Sequence, residues 1–324
     1  MDARLAAELT AHLLPNDEFV DLAFRHILRR PADDAARDRA LAKLAEGTLS
    51  RATLIHELAT SDESARVRQL DDAVALGLGS RARSEPVRWL HAEGGTDERV
   101  VEIPWVLSRL RASGRVLEVG YAFAEPAYLA GLLRAGVELV GADLAARDID
   151  GMETVEADVR ELPFPDQSFD QVLLVSTLEH IGADNTVYGL DVESDGGARL
   201  AALRELERVL RRDGTLLVTV PLGEPGDHGW FRQEDESGWI ELFARAHLFI
   251  EEIEMYELKP EGWCAAPAFR PEGVRYGERG PAASAVLCAD LSPGRFRRLL
   301  TPSGLTATAR RRARPLRHRR DTNG

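Results

Sequence analysis

Apolar positions in the first 68 residues recur at helical spacing. Phe19, Val20, Leu22, Ala23, Ile27 and Leu28 mark one amphipathic stretch, and Leu41, Leu44, Leu54, Ile55 and Leu58 continue the pattern. Pro31, Asp33 and Asp34 interrupt it, and Ser50, placed before Arg-Ala-Thr, has the chemistry of an N-cap. This pattern predicts a small all-α unit over 1–68. Between 69 and 112, Gly77, Gly79, Gly94 and Gly95 punctuate the run and predict a connector with one short amphipathic helix over 101–110. Trp105 on that helix could pack on a sheet or lie over a ligand.

From 115 onward the period changes to short β-runs alternating with helices, the signature of a mostly parallel sheet. Strands are expected at 115–119, 137–143, 153–157, 171–176 and 215–220, with helices at 126–135 and 198–211. A long Gly/Pro-rich excursion separates two late strands, 249–258 and 285–291. Five α/β units followed by two late strands predict a Rossmann-like, seven-stranded α/β sheet ending in an antiparallel strand. The expected organisation is therefore a helical domain (1–68), a connector (69–112), an α/β domain (113–292) and a tail (293–324).

Composition narrows the classes. In 324 residues, 44% hydrophobic, there is enough apolar surface for a real core. No run approaches 18 consecutive apolar residues, so no transmembrane segment is expected, and the mixed charges of the N-terminus argue against a signal peptide. Cys264 and Cys288 have no CxxC partner and no histidine close in sequence, so neither a metal site nor a disulfide framework is predicted; a reducing, cytoplasmic setting follows.

The net charge of −13 conceals an asymmetry. Ten arginines lie between 295 and 320, and the chain before 295 carries a net −22. Such an acidic body repels a phosphate backbone, so nucleic acid is not expected as a partner. The basic tail could make a weak electrostatic contact with an anionic surface.

Candidate chemistry gathers at the strand ends. Glu118-Val-Gly120-Tyr-Ala122-Phe-Ala124-Glu-Pro126 closes the first strand and opens a helix, a unit that brings backbone N–H groups and a positive helix end toward a ligand. Asp143 ends the next strand, 23 residues beyond Gly120, where a carboxylate can accept from ribose hydroxyls. Asp158 and Val159 close the third strand in Glu156-Ala-Asp158-Val159-Arg160.

Two longer stretches carry a family resemblance. Leu162-Pro-Phe-Pro-Asp-Gln-Ser-Phe-Asp-Gln-Val-Leu-Leu-Val-Ser-Thr-Leu-Glu-His-Ile resembles the LPFPDxSFDxVxxxxxLEH run of class I S-adenosylmethionine-dependent methyltransferases of the type 11 kind. Arg208-Val-Leu-Arg-Arg-Asp-Gly-Thr-Leu-Leu-Val-Thr-Val-Pro resembles their RVLKPGG segment, with Asp213 in place of the proline. The resemblance covers about 180 residues and implies S-adenosylmethionine as cofactor. It also implies cofactor contacts for Glu118, Gly120, Ala122, Asp143, Asp158 and Val159. Ala122 and Ala124 stand where a dinucleotide loop would need glycine; S-adenosylmethionine has no pyrophosphate and tolerates the methyl groups better. Separately, residues 16–66, with their Gly-x-Leu-Ser-Arg step, resemble the helical domain-of-unknown-function 4214 family. That family has a habit of accompanying secreted or glycan-related domains.

Acceptor-side residues are expected in two loops at the carboxyl edge of the sheet, 179–197 and 223–233. His180 and His228 are the candidate bases, because a histidine of ordinary pKa near 6.5 takes a proton at neutral pH. Asp184, Tyr188, Trp230 and Arg232 are the candidate acceptor contacts. The EHIGxDNTxYG and GWFR stretches resemble methyltransferases encoded with bacterial surface-glycan genes. The function predicted is therefore methylation of a sugar or other small hydroxyl acceptor. The alternatives are a non-catalytic methyltransferase-like scaffold with a decayed loop, and an oxidoreductase on a Rossmann sheet.

Overall fold

A computed structural model describes residues 14–294, apart from 95, 187, 188, 190–194 and 281. Tyr188 and the basic tail therefore lie outside the described residues.

The N-terminal helices form where the apolar pattern placed them. Helices α1 (Asn16–Ile27), α2 (Asp34–Ala45) and α3 (Arg51–Ala59) bury Phe19, Val20, Ala23, Phe24, Leu28, Ala40, Leu54 and Ile55 in a cluster of their own. Asp33 and Ser50 cap α2 and α3, accepting from the amides of Ala36 and Thr53.

The expected connector is instead a long helix. α4 (Asp62–Ala82) runs 21 residues straight through the predicted boundary at 68. Gly77 is not punctuation: a Cβ there would lie 2.8 Å from Leu107 Cβ and 3.0 Å from Pro104 Cα, so the glycine lets α4 press against α5 (Arg99–Ser108). Leu70, Ala73 and Val74 of α4 enter the same cluster as Val101, Ile103, Trp105 and Leu107 of α5 and Tyr128, Leu129 and Leu132 of α6 (Pro126–Arg134). Trp105 is wholly buried there, its indole N–H donating to Glu254, so it packs on the sheet rather than over a ligand.

The sheet is built from β1 (Arg115–Val119), β2 (Glu138–Asp143), β3 (Glu153–Glu156), β4 (Phe169–Val175) and β5 (Leu210–Pro221). Further on come β8 (Leu248–Lys259), β9 (Gly262–Ala265) and β10 (Ala285–Pro293), while β6 (Gly226–Asp227) and β7 (Arg232–Gln233) make a separate small ribbon. The order is β3-β2-β1-β4-β5-β10-β8-β9, with β1 to β5 parallel and β10 antiparallel to both neighbours. Leu117 of β1 faces Val140 on one side and Val172 on the other. The sheet thus has eight strands rather than seven. The addition, β9, is held by pairing of Leu258 with Trp263, whose ring is fully buried.

Helices cover both faces. α4, α5 and α6 lie on one; α7 (Ala198–Val209) and α8 (Glu236–Arg245) bring Leu203, Leu206, Val209, Trp239 and Phe243 to the other. Strand order reverses between β1 and β4, which opens a crevice at their carboxyl ends. No helix among the described residues is long and apolar enough to cross a membrane. Cys288 is buried in β10, and the Cys264 Sγ lies 3.3 Å from His91 Nδ1, a neighbour hidden by a separation of 173 positions in sequence.

Candidate active site

The crevice holds a cavity of about 190 Å³. The ends of β1, β2 and β4 wall it with Val119, Gly120, Ala142, Asp143, Val175 and Thr177, and the third strand's exit adds Ala157, Asp158 and Val159. Gly120 has φ +85°, and a Cβ on it would sit 2.5 Å from Thr177 Oγ1. Only glycine serves there, by conformation and by space. Ala122 and Ala124 have no such constraint: within 120–124 only Gly120 has positive φ, so the loop closes without further glycines. The decayed-loop argument for a scaffold loses its footing.

Asp143 is almost buried at the cavity wall. Its two oxygens each accept one backbone amide, Oδ2 from Ala122 and Oδ1 from Ala145, both over 2.9 Å. Each oxygen keeps a lone pair for a ligand hydroxyl. Asp158 lines the cavity with its carboxylate forked on Arg160, at 3.0 Å from Nε and 2.7 Å from Nη2, and these hydrogen bonds hold its pKa down. Glu118 and Ala122 do not reach the cavity wall. Glu118 is buried one layer behind it, accepting the phenol hydroxyl of Tyr128 over 2.8 Å, and burial drives its carboxyl well above the ordinary range. Ala122 acts through its amide, which holds Asp143.

A second, smaller cavity of about 70 Å³ adjoins the first, sharing Arg99 and His180. Its other walls are Glu98, Glu179, Pro221, Trp230, Phe231 and Tyr276. Helix α5 supplies its charged side. Arg99 Nη1 donates to Glu98 (3.1 Å), Glu102 (2.7 Å) and Ser176 Oγ (2.9 Å), and Ser176 in turn donates to Glu102 over 2.7 Å. Ser176 adopts φ +43°, a costly conformation for a non-glycine residue, at the point where β4 releases the chain into the site. Burial pushes the Glu98 carboxyl up to about 7, with Glu102 adding to the rise and Arg99 opposing it.

The two histidines part company. His180 stands between the cavities, with Nδ1 2.9 Å from the carbonyl of Trp230 and its ring stacked on the Trp230 ring at 5.0 Å. Desolvation lowers its pKa to about 4, so the near-neutral value expected from sequence is overturned by burial. His228 is exposed, stacked on Phe231 at 4.4 Å, and lines neither cavity. Asp184 is exposed and folds back to accept the amide of Thr186, while Arg232 is paired with Asp227. Of the described acceptor contacts expected, only Trp230 lines a cavity.

Sequence reasoning missed Glu98, Arg99, Glu102, Glu179 as a wall residue, Ser176 and Tyr276. A signal existed: Glu102 sits inside the apolar run Val-Val-Glu102-Ile-Pro-Trp-Val-Leu, and an acid on an otherwise buried helix needs a partner.

Residues 117–218 match the protein family described as "Methyltransferase domain". The match supports a class I S-adenosylmethionine-dependent methyltransferase domain here. Solved structures similar to the chain include a 1,6-didemethyltoxoflavin N1-methyltransferase from Burkholderia thailandensis, with bound 1,6-didemethyltoxoflavin and S-adenosylhomocysteine. It is 15% identical, covers 87% of this chain and 92% of its own, and has a TM-score of 0.41. A Methanosarcina mazei S-adenosylmethionine-dependent methyltransferase shares 14% identity over 59% of this chain and 97% of its own, with a TM-score of 0.41. A possible histamine N-methyltransferase from Thermotoga maritima shares 18% over 59% and 87%, at 0.38. No curated protein matches the chain.

The methyltransferase cavity fits its cofactor. Gly120 leaves the space a Cβ would fill, Asp143 has acceptor capacity for ribose hydroxyls, and Val119, Ala142, Leu144, Ala157 and Val159 offer an apolar bed for an aromatic base. S-adenosylmethionine bound there supplies an activated methyl group; the chain's task is to seat an acceptor beside it, exclude water and take a proton.

Proposed function

We propose that the enzyme methylates a hydroxyl group of a small polar acceptor, a sugar or a molecule of similar shape. One observation carries this reading: the second cavity adjoins the cofactor cavity through Arg99 and His180, and it combines aromatic rings with carboxyl groups. Trp230, Phe231 and Tyr276 present flat apolar surfaces that suit the C–H face of a sugar ring, while Glu98 and Glu179 offer oxygens to its hydroxyls. A surface-glycan precursor is the acceptor class that fits the loop resemblance. A cytoplasmic site of action accords with the two free thiols.

His180 serves in this reading by position. Its Nδ1 is tied to the Trp230 carbonyl, which fixes the ring and the loop that carries Trp230. At a pKa of about 4 it stays neutral at physiological pH.

Methyl transfer from labelled S-adenosylmethionine to a panel of methyl glycosides tests the proposal. At least one glycoside should accept label, and Trp230→Ala should raise its KM while leaving S-adenosylhomocysteine affinity unchanged. Label passing only to amines, or to no member of the panel, would refute the hydroxyl reading.

A further inference from the structure

We infer that Glu179 is the catalytic residue that takes the proton from the acceptor, an inference resting on the reading of the second cavity as the acceptor site. Glu179 lies in the short turn Leu178–His180 that follows β4, at 4% exposure, and is one of the residues lining the second cavity. Oε1 is 3.8 Å from His180 Nε2. Oε2 is buried without a hydrogen-bond partner among the described residues. An orphaned buried carboxyl oxygen is costly, and a catalytic role is one of the reasons a fold retains one. The cavity that Glu179 lines also holds Trp230 and Tyr276, so an acceptor seated against those rings lies beside this residue.

The charges facing Glu179 come from three elements. α5 and the residue preceding it contribute Arg99, Glu102 and Glu98; the turn contributes His180; the segment before β10 contributes the phenol of Tyr276. Burial raises the Glu179 carboxyl well above its ordinary range, Glu102 and Glu98 reinforce the rise, and Arg99 opposes it. A desolvated carboxylate of this kind is a stronger base than a solvated one, and far better than an imidazole depressed to about 4. His180 and Arg99 are positioning residues: one fixes the turn against Trp230, the other fixes the carboxyl groups of α5.

The step balances. The acceptor oxygen forms its bond to the methyl carbon as the carbon–sulfur bond breaks, with that electron pair staying on sulfur. The hydroxyl proton passes to the Glu179 carboxylate. Sulfonium and carboxylate both become neutral, so the step removes two charges from a water-poor cavity, a direction that low polarity favours. A neutral carboxyl then returns its proton to solvent when the product leaves.

The test uses the full-length protein in three measurements. Calorimetry with S-adenosylhomocysteine should give Glu179→Gln an affinity within about twofold of wild type. Methyl transfer to methyl glycosides and their amino-sugar counterparts should fall by about a hundredfold or more in Glu179→Gln, the scale of a positioned base. The rising limb of the wild-type pH profile should vanish in that variant and persist in His180→Asn. Carbon-13 NMR of labelled glutamate carboxyls in the wild-type S-adenosylhomocysteine complex should show Glu179 still protonated well above the ordinary carboxylate range, and adding methyl glycoside should shift its signal. Retained turnover in Glu179→Gln, or loss of the pH limb in His180→Asn, would overturn the assignment. So would a Glu179 signal that titrates like a solvated carboxylate. If wild type methylates no member of the panel, the acceptor reading falls by itself, and the NMR titration still decides the state of Glu179.

Discussion

The amide of Ala122 donates to Oδ2 of Asp143 over 2.9 Å, tying the loop after β1 to the end of β2. Asp143 is therefore both a wall of the cofactor cavity and the brace that shapes the loop opposite. Asp143→Ala removes a charged hydrogen-bond acceptor and frees two amides, so S-adenosylhomocysteine affinity should fall by at least about tenfold, from a loss of roughly 1.5–3 kcal/mol. Calorimetry checks this, and an unchanged dissociation constant would remove Asp143 from the cofactor site.

Gly120 should be irreplaceable for two separable reasons. Gly120→Ala meets Thr177 Oγ1 at 2.5 Å and keeps a backbone φ of +85°, which costs an L-residue roughly 1–2 kcal/mol. Cofactor binding should be lost in Gly120→Ala and partly regained in Gly120→Ala/Thr177→Gly, where the collision is relieved and the strain remains. Full recovery in the double variant would show that the backbone conformation is not limiting.

Glu98 should make stability fall as pH rises. Its carboxyl goes from 4.5 unfolded to about 7 folded, so between those values the unfolded chain gives up its proton first and the folded state loses ground. Below 4.5 the contribution is fully present; above about 7 it is gone. His180 acts in the opposite sense: with 6.5 unfolded and about 4 folded, its contribution is present above 6.5 and is lost as pH falls toward 4. Denaturation midpoints measured from pH 4 to 8 should show the wild type declining relative to Glu98→Gln across the 4.5 to 7 window. A pH-independent difference would show that Glu98 titrates normally.

The position of the domain boundary is testable by truncation. α1 to α3 close a core of their own, whereas α4 places Leu70, Ala73 and Val74 in the main one. A chain beginning at Ser61 should fold and bind S-adenosylhomocysteine. One beginning at residue 90 strips α4 from α5 and α6 and should lose several kcal/mol, since burying each such side chain contributes roughly 1.5–3 kcal/mol. Equal melting temperatures for the two chains would place the boundary later than α4.

By itself the sequence determined the alternation of strands and helices, the placing of Gly120, Asp143, Asp158 and Val159 at the strand ends that wall the larger cavity, and the helical character of residues 16–59 with the Ser50 cap. These follow from local rules: the period of apolar positions, the shape of a strand–Gly–helix turn, and capping by Ser50. The tertiary structure alone decided what required distant partners. Gly77 looked like a loop residue because nothing in its neighbourhood discloses that Leu107, thirty positions on, presses against it. β9 escaped notice because four residues exert no periodicity, and only pairing with β8 makes them a strand. His180 was found by position, but its pKa was misjudged because burial, which depends on how distant segments pack, lowers it, while the hydrogen bond to the Trp230 carbonyl only partly opposes that. Arg99 and Glu102 reached the site across 74 or more positions to meet Ser176, a junction made by packing α5 against the sheet. Periodicity is a property of neighbours in sequence, whereas burial, proton affinity and the shape of a cavity are properties of neighbours in space.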